Sequence, residues 1–391
     1  MRILQVLNLY YPAERHGGIT VWVKDLTSGL IERGHEVTVL CTNLLSPDRR
    51  MSGGTKQGNV DGIPVHYLMT YRLGLGRGSR GITVSPQLFS SAMRLKVAEF
   101  DVVHIHGYRS GLVSGASYVA HSENTPYFLQ AHGSLRIVSG ARMLKRVFDM
   151  LIGRRIIANA HNVVSVSHSE TEQYLGLGAE VEKVRCVPYG LPRERFENLP
   201  EHGRFRIKYG IDIGDKLLVF LGRIHPTKRL DLLVNAFAEA NVPDSKLAII
   251  GPDDGMKVEL QDEIERLNIG ERVLLPGPIY GTEKISALVD ADVTVRSSSI
   301  EGFPVAIIES IACGTPVIVT DECGVTEEID GNYGLAVQGT VEALAGAIRE
   351  LLLNQSLRSY YGKLGKATFF NTFSRDIVIE KLTKIYENAI R

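Results

Sequence analysis

The sequence predicts an α/β protein built from two doubly wound, Rossmann-like domains facing each other across a cleft. Three observations lead there. Near-continuous Val/Ile/Leu runs, the mark of strands buried on both faces, recur along the chain. Stretches with helical patterns separate them, as in right-handed βαβ units. The series also runs twice, on either side of a polar stretch from Gly190 to Asp215 that holds Pro192, Pro200, Gly203, Gly210 and Gly214. At 391 residues and 44% hydrophobic, the chain has the length for two or three domains and ample material for their cores.

The first series places strands at 3–7, 36–40, 65–68, 102–106, 127–131, 163–166 and 184–187. The second places them at 217–221, 247–250, 273–275, 293–295, 317–320 and 335–337. The expected domains are 1–195 and 196–372, followed by a terminal helix in 373–391. Val378, Leu382, Ile385 and Ala389 fall at helical spacing along one side of that helix. It can cross back onto the first domain or cap its own.

Formal net charge is zero, but residues 1–200 carry +7 and residues 201–391 carry −7. A basic first half suits anionic lipid or a phosphorylated acceptor, and scattered solvated charge is the plainer alternative. Nucleic acid is not an expected partner. Cys41, Cys186, Cys313 and Cys323 show no C-x-x-C spacing, and buried thiols in a reducing compartment are their simplest account. The opening Met1-Arg2-Ile3-Leu4 enters a strand at once, and no apolar run approaches the ~18 residues of a membrane span. The expected location is cytoplasmic, with peripheral contact at the inner membrane face left open.

The chemistry concentrates in a few places. Glu301 and Glu309 lie in Glu301-Gly302-Phe303-Pro304-Val305-Ala306-Ile307-Ile308-Glu309, where a strand turns into a helix. Pro304 suits the first helical position, and free N–H groups at such a start attract phosphate. One carboxylate can grip sugar hydroxyls and the other a ribose, with a diphosphate between them. Taken alone, the motif is also compatible with two surface glutamates at an ordinary turn. Gly222-Arg223 follows another strand, with Lys228 five residues beyond the arginine. Ligands of open α/β sheets bind beyond the carboxyl ends of strands, where two cations can offset charge developing on a leaving diphosphate. Gly17-Gly18 precedes a helix over 19–31 and permits close backbone approach, but it is no G-x-G-x-x-G fingerprint.

His106 and His132 fall at strand ends, where His132 can hydrogen-bond a sugar hydroxyl, while His104 reads as a satisfied core histidine. No His, Cys and carboxylate triple has metal-ligand spacing, so neither a metal site nor another cofactor is expected. Arg136, Arg142, Lys145, Arg146, Arg154 and Arg155 surround Met143, Leu144, Val147, Phe148, Met150, Leu151 and Ile152. This mixture reads equally as a basic amphipathic helix touching membrane or an acceptor phosphate, and as a core helix with a charged face.

In this order along nearly the whole chain, these elements resemble the retaining glycosyltransferases of family 4, which have the GT-B fold. The resemblance rests on the strand and Gly17-Gly18, on Arg33-Gly34-His35-Glu36-Val37-Thr38-Val39, on Gly222-Arg223 with Lys228, and on the E-x7-E spacing of Glu301 and Glu309. It implies that Arg223 and Lys228 bind the donor diphosphate, that Glu301 contacts donor-sugar hydroxyls and that Glu309 contacts the ribose. It also implies that His132 lies near the donor sugar and Gly18 against the phosphates. Gly17, Gly302, Phe303 and Pro304 complete the expected nucleotide-binding set.

The implied reaction moves a hexose from a UDP- or GDP-sugar to a glycan or polyprenyl-diphosphate-linked acceptor. It retains anomeric configuration by front-face attack and needs no metal. Two departures stand out. Pro188-Tyr189-Gly190-Leu191-Pro192 replaces the family's Pro-Asn-Gly-Val-Asp, and Arg296 stands where an apolar or proline residue is common. A nucleotide-sugar epimerase of the same architecture and a non-catalytic nucleotide-binding scaffold are the competing readings.

Overall fold

The computed structural model describes residues 1–13, 18–46, 49–51, 56–73, 82–90, 96–137, 142–299 and 301–390. The chain divides into two compact units, Met1–Gly190 with Arg375–Arg391, and Leu191–Ser374.

The first unit contains β1 (Arg2–Leu7), β2 (Glu36–Thr42), β3 (Leu44–Ser46), β4 (Arg49–Arg50), β5 (Lys56–Val60), β6 (Ile63–Leu68), β7 (Tyr71–Leu73), β8 (Ile82–Val84), β9 (Val102–His106), β10 (Tyr127–Gln130), β11 (Asn162–Ser165) and β12 (Val184–Cys186). Eight of these form one sheet in the order β12-β11-β10-β9-β1-β2-β6-β5. Its pairings are parallel except β5 with β6. β3–β4 and β7–β8 are separate antiparallel ribbons. The sequence reading missed these ribbons and β5. Lys56-Gln57-Gly58-Asn59 is exposed along the sheet edge, so it carries no apolar run to be recognised.

The second unit contains β13 (Lys216–Leu221), β14 (Ser245–Ile250), β15 (Val273–Gly277), β16 (Val293–Arg296), β17 (Val317–Thr320) and β18 (Gly334–Val337). They form an all-parallel sheet in the order β15-β14-β13-β16-β17-β18. β13 is buried on both sides. Leu218 and Phe220 enter one apolar cluster with Leu233 and Phe237 of helix Leu230–Ala240, while Leu217, Val219 and Leu221 enter another with Ala248 and Leu288. Among the parallel strands of each sheet the order reverses once, between β1 and β9 and between β13 and β16. Such reversals open the crevice where α/β sheets hold ligands.

Helix Arg375–Ile390 packs within the first unit. Ile379 lies over Gly29, where an added Cβ would come within 2.2 Å of its Cδ1. The buried stripe is Val378, Ile379, Leu382 and Tyr386, with Ile385 and Ala389 only half-buried. The expected stripe is therefore rotated, because the Tyr386 hydroxyl reaches the Nδ1 of buried His104 at 2.7 Å. The thiols also differ from expectation. Cys41 and Cys323 are buried, but Cys313 is half-buried and Cys186 lies exposed on edge strand β12. Among the described residues, no helix is long and apolar enough to cross a membrane.

Candidate active site

The loops after β13 and β16 are bonded to each other. The Ser297 hydroxyl donates to the Lys228 carbonyl at 2.8 Å, and the Ser299 N–H donates to the Thr227 carbonyl at 3.0 Å. This brings the Lys228 ammonium onto the Glu301 carboxylate, and both side chains are largely buried. A second cation holds the same carboxylate. Arg296, the last residue of β16, donates from Nε to Glu301 Oε2 at 3.2 Å and from a terminal nitrogen to Oε1. Its guanidinium lies 5.1 Å from the Phe220 ring centroid and also donates to the Leu221 carbonyl. Burial pushes the Glu301 carboxyl up, but Arg296 and then Lys228 overcome it and hold it at about 2. Burial lowers the Lys228 ammonium, against the attraction of Glu301.

Arg223 pairs with Asp254, which lies in the loop after β14. The two loops are drawn together by the Gly222 N–H to the Ile250 carbonyl and the Ile224 N–H to the Pro252 carbonyl, each 2.9 Å. Gly251 makes that approach possible, since a Cβ there would lie 1.8 Å from the Gly222 carbonyl oxygen.

Pro304 stands at the N-cap of helix Val305–Cys313, one residue before the expected first helical position. Phe303 is buried with its ring 5.5 Å from that of Phe373, so its side chain serves the core. Glu309 is buried within the helix, and its carboxylate accepts from Lys284 Nζ at 2.5 Å. The structure thus joins Lys228 to Glu301 directly, while Arg223 and Glu309 each pair with a separate residue. Asp254 and Lys284 were not anticipated. Both lie far from their partners in sequence and look like ordinary surface charges.

The first unit carries a buried polar chain at its own strand ends. The Gln5 amide oxygen meets His106 Nε2 at 2.6 Å, His106 Nδ1 meets His132 Nε2 at 2.9 Å, and His132 Nδ1 meets the Tyr189 hydroxyl at 2.9 Å. With the Gln5 oxygen facing His106, every donor points one way: Tyr189 to His132, His132 to His106, His106 to Gln5. All three rings flank Trp22, on helix Gly18–Glu32, with centroids 5.1–5.7 Å from its own. Burial, and then the neighbouring histidines, hold His106 well below its usual value and His132 at about 3. Both imidazoles are therefore neutral at ordinary pH. Each nitrogen of His132 already has a partner, so a sugar hydroxyl would have to displace one. His132 also holds a left-handed φ of 56°, uncommon for a residue with a side chain.

His104 is bonded only in part, because its Nε2 is buried without a hydrogen-bond partner. Gly18 is exposed at its helix start, and Gly17 lies outside the described residues.

Two further residues shape the His132 turn, and the sequence reading missed both. Glu170 accepts from the Gly133 N–H at 2.5 Å and the Val166 N–H at 2.8 Å, and burial raises its carboxyl to about 7 against those bonds. Arg109 donates to the Ser134 and Leu135 carbonyls at 2.5 and 2.8 Å while gripping both oxygens of buried Asp149. Among the described residues, no group of three or more His, Cys, Asp or Glu side chains is arranged to hold a metal ion.

Comparison with known proteins matches this arrangement. Residues 17–190 fit the glycosyl transferase 4-like domain, and residues 202–368 fit the glycosyl transferases group 1 family. The chain is 28% identical over 396 residues to a D-inositol 3-phosphate glycosyltransferase of Acidothermus cellulolyticus, covering 96% of this chain and 86% of the relative. It is 26% identical to a GDP-mannose-dependent alpha-(1-6)-phosphatidylinositol dimannoside mannosyltransferase of Mycobacterium tuberculosis, covering 90% and 88% of the two chains. The crystal structure of Anabaena HepE in complex with UDP superposes with a TM-score of 0.78 at 16% identity, covering 99% of this chain and 100% of that one. Sucrose-phosphate synthase from Thermosynechococcus elongatus gives 0.73 at 19% identity, covering 99% and 98%. With two family models spanning both units and the Rossmann-like order of both sheets, the chain belongs to the family 4 glycosyltransferases of GT-B fold.

Proposed function

We propose that the protein transfers a hexose from a UDP- or GDP-sugar to a glycan or lipid-diphosphate-linked acceptor, with retention of configuration. The observation that carries this reading is the contact of Lys228 and Arg296 with Glu301 at the strand reversal between β13 and β16. In the proposed complex, Arg223 leaves Asp254 and joins Lys228 on the donor diphosphate. Both cations then stabilise charge as the glycosidic bond to phosphate breaks. Glu301, kept ionised by Arg296, accepts from sugar hydroxyls. Glu309 accepts from the ribose. The departing phosphate oxygen takes the acceptor's proton, so no separate base is assigned. Two protein cations supply the charge that a divalent ion would otherwise bring. Names of relatives that act on inositol phosphate or phosphatidylinositol mannosides, together with the +7 charge of residues 1–200, favour an anionic acceptor.

The test is calorimetric binding of UDP, GDP and ADP in EDTA, followed by sugar transfer from donors carrying the preferred base. Clear binding of one diphosphate supports the metal-independent site. Arg223→Ala is expected to lower turnover by on the order of a hundredfold, and unchanged turnover would refute its role.

A further inference from the structure

Helix Arg142–Phe148 buries none of its residues. It continues through a π-helical turn, Asp149–Gly153, into helix Arg154–Asn159. Met143, Leu144, Val147, Met150, Leu151 and Ile152 are all exposed, Met143 at 77% and Met150 at 63%. An apolar patch this continuous on a soluble surface marks an interaction site.

The segment cannot roll to hide that face, because its other side is fixed. Asp149 is clamped by Arg109, and Ile156 and Ile157 enter the core. Gly153 lies flat against Tyr108, whose hydroxyl would be 2.1 Å from an added Cβ. Phe148 packs against the core beside Tyr108, but the core-helix reading of this stretch fails for residues 142–147, and the exposed apolar side chains there need another partner.

Charge selects that partner. Arg146, Arg154 and Arg155 are exposed beside the patch, and the acidic residue of the segment, Asp149, points inward to Arg109. A second copy of the chain would bring the same basic residues against themselves in a two-fold contact. An anionic bilayer surface instead accepts the apolar side chains among its acyl chains and the arginines among its headgroups. We propose that residues 142–155 form a membrane-docking face for anionic lipid. Arg109 ties this face to the backbone just after His132, so docking bears directly on that turn. The inference is independent of donor and acceptor identity.

The experiment is co-sedimentation of the full chain with phosphatidylcholine vesicles, with and without phosphatidylglycerol, at low and high salt. Binding is expected only with phosphatidylglycerol and is expected to weaken with salt. Leu144→Ser with Leu151→Ser should lower partitioning at least about tenfold. These side chains are exposed, so melting and nucleotide binding should not change. Arg154→Ser with Arg155→Ser should remove the preference for anionic vesicles. Failure of the wild type to bind, equal binding by the leucine variant, or self-association abolished by that variant would each overturn the proposal.

Discussion

Arg296 and Glu301, five residues apart across the end of β16, form a two-point ion pair, and Lys228 contacts the same carboxylate. Because Arg296 is fixed by the Phe220 ring and the Leu221 carbonyl, it orients Glu301 without leaving its place. In the proposed complex Lys228 turns toward the donor diphosphate while Arg296 keeps Glu301 ionised and aimed.

This arrangement predicts a graded response at position 296. Arg296→Leu strands a buried carboxylate with one cation, at a cost of about 3 kcal/mol, or a Tm lowered by about 6–12 °C for a unit of this size. It should also draw Lys228 fully onto Glu301 and weaken UDP or GDP binding severalfold. Arg296→Lys keeps the charge but loses the two-point geometry and the ring contact, so it should restore only part of both. Thermal melts with calorimetry separate the effects. A lowered Tm with wild-type nucleotide affinity would leave Arg296 a purely structural role.

Gly251 offers a steric test of the Arg223 loop. Gly251→Ala places a Cβ 1.8 Å from the Gly222 carbonyl oxygen and 2.6 Å from its carbon, so backbone must move. The shift displaces Arg223 from the β14 loop and should weaken nucleotide binding as well as stability. Gly270→Ala, with nothing within 4 Å of its added Cβ, is the control and should alter neither. Identical behaviour of the two variants would refute the close approach of the loops.

The parallel strands were legible because burial on both faces forces continuous apolar runs, as Leu217-Leu218-Val219-Phe220-Leu221 shows. The exposed edge strand β5 faces no such demand and was invisible. At the candidate site, Lys228 and Glu301 stood out by their places after strands. The residues that hold the neighbouring charges, Asp254 and Lys284, did not, because only tertiary folding brings them to Arg223 and Glu309. Arg296 was visible as a departure from the family pattern, but its pairing with Glu301 was not. Glu170 was hidden differently. Ser167 and Glu170 have the spacing of a helix-capping pair, and Ser167 does cap the Glu170 N–H, yet the carboxylate turns away to Gly133 and Val166.

That carboxylate gives the fold a distinct pH response. Burial raises Glu170 from its usual 4.5 to about 7 in the folded protein. Between those values the folded state binds the proton more tightly than the unfolded chain. This contribution is therefore fully present below pH 4.5 and is lost as pH rises through 7. His104 and His132 act in the opposite sense. Burial lowers both from 6.5 to about 3, so their contribution is present above pH 6.5 and falls away as the solution is acidified. The two effects oppose each other between about pH 4.5 and 6.5, one carboxyl against two imidazoles, so Glu170 lessens the slope of the wild-type profile there without cancelling it. Glu170→Gln removes one of them. The variant should lose stability on acidification more steeply than wild type from pH 7 to 5, and its deficit should be smallest near pH 8. Chemical denaturation at half-unit pH intervals measures the difference directly. Parallel profiles for the two proteins would show that Glu170 does not change its protonation in that range.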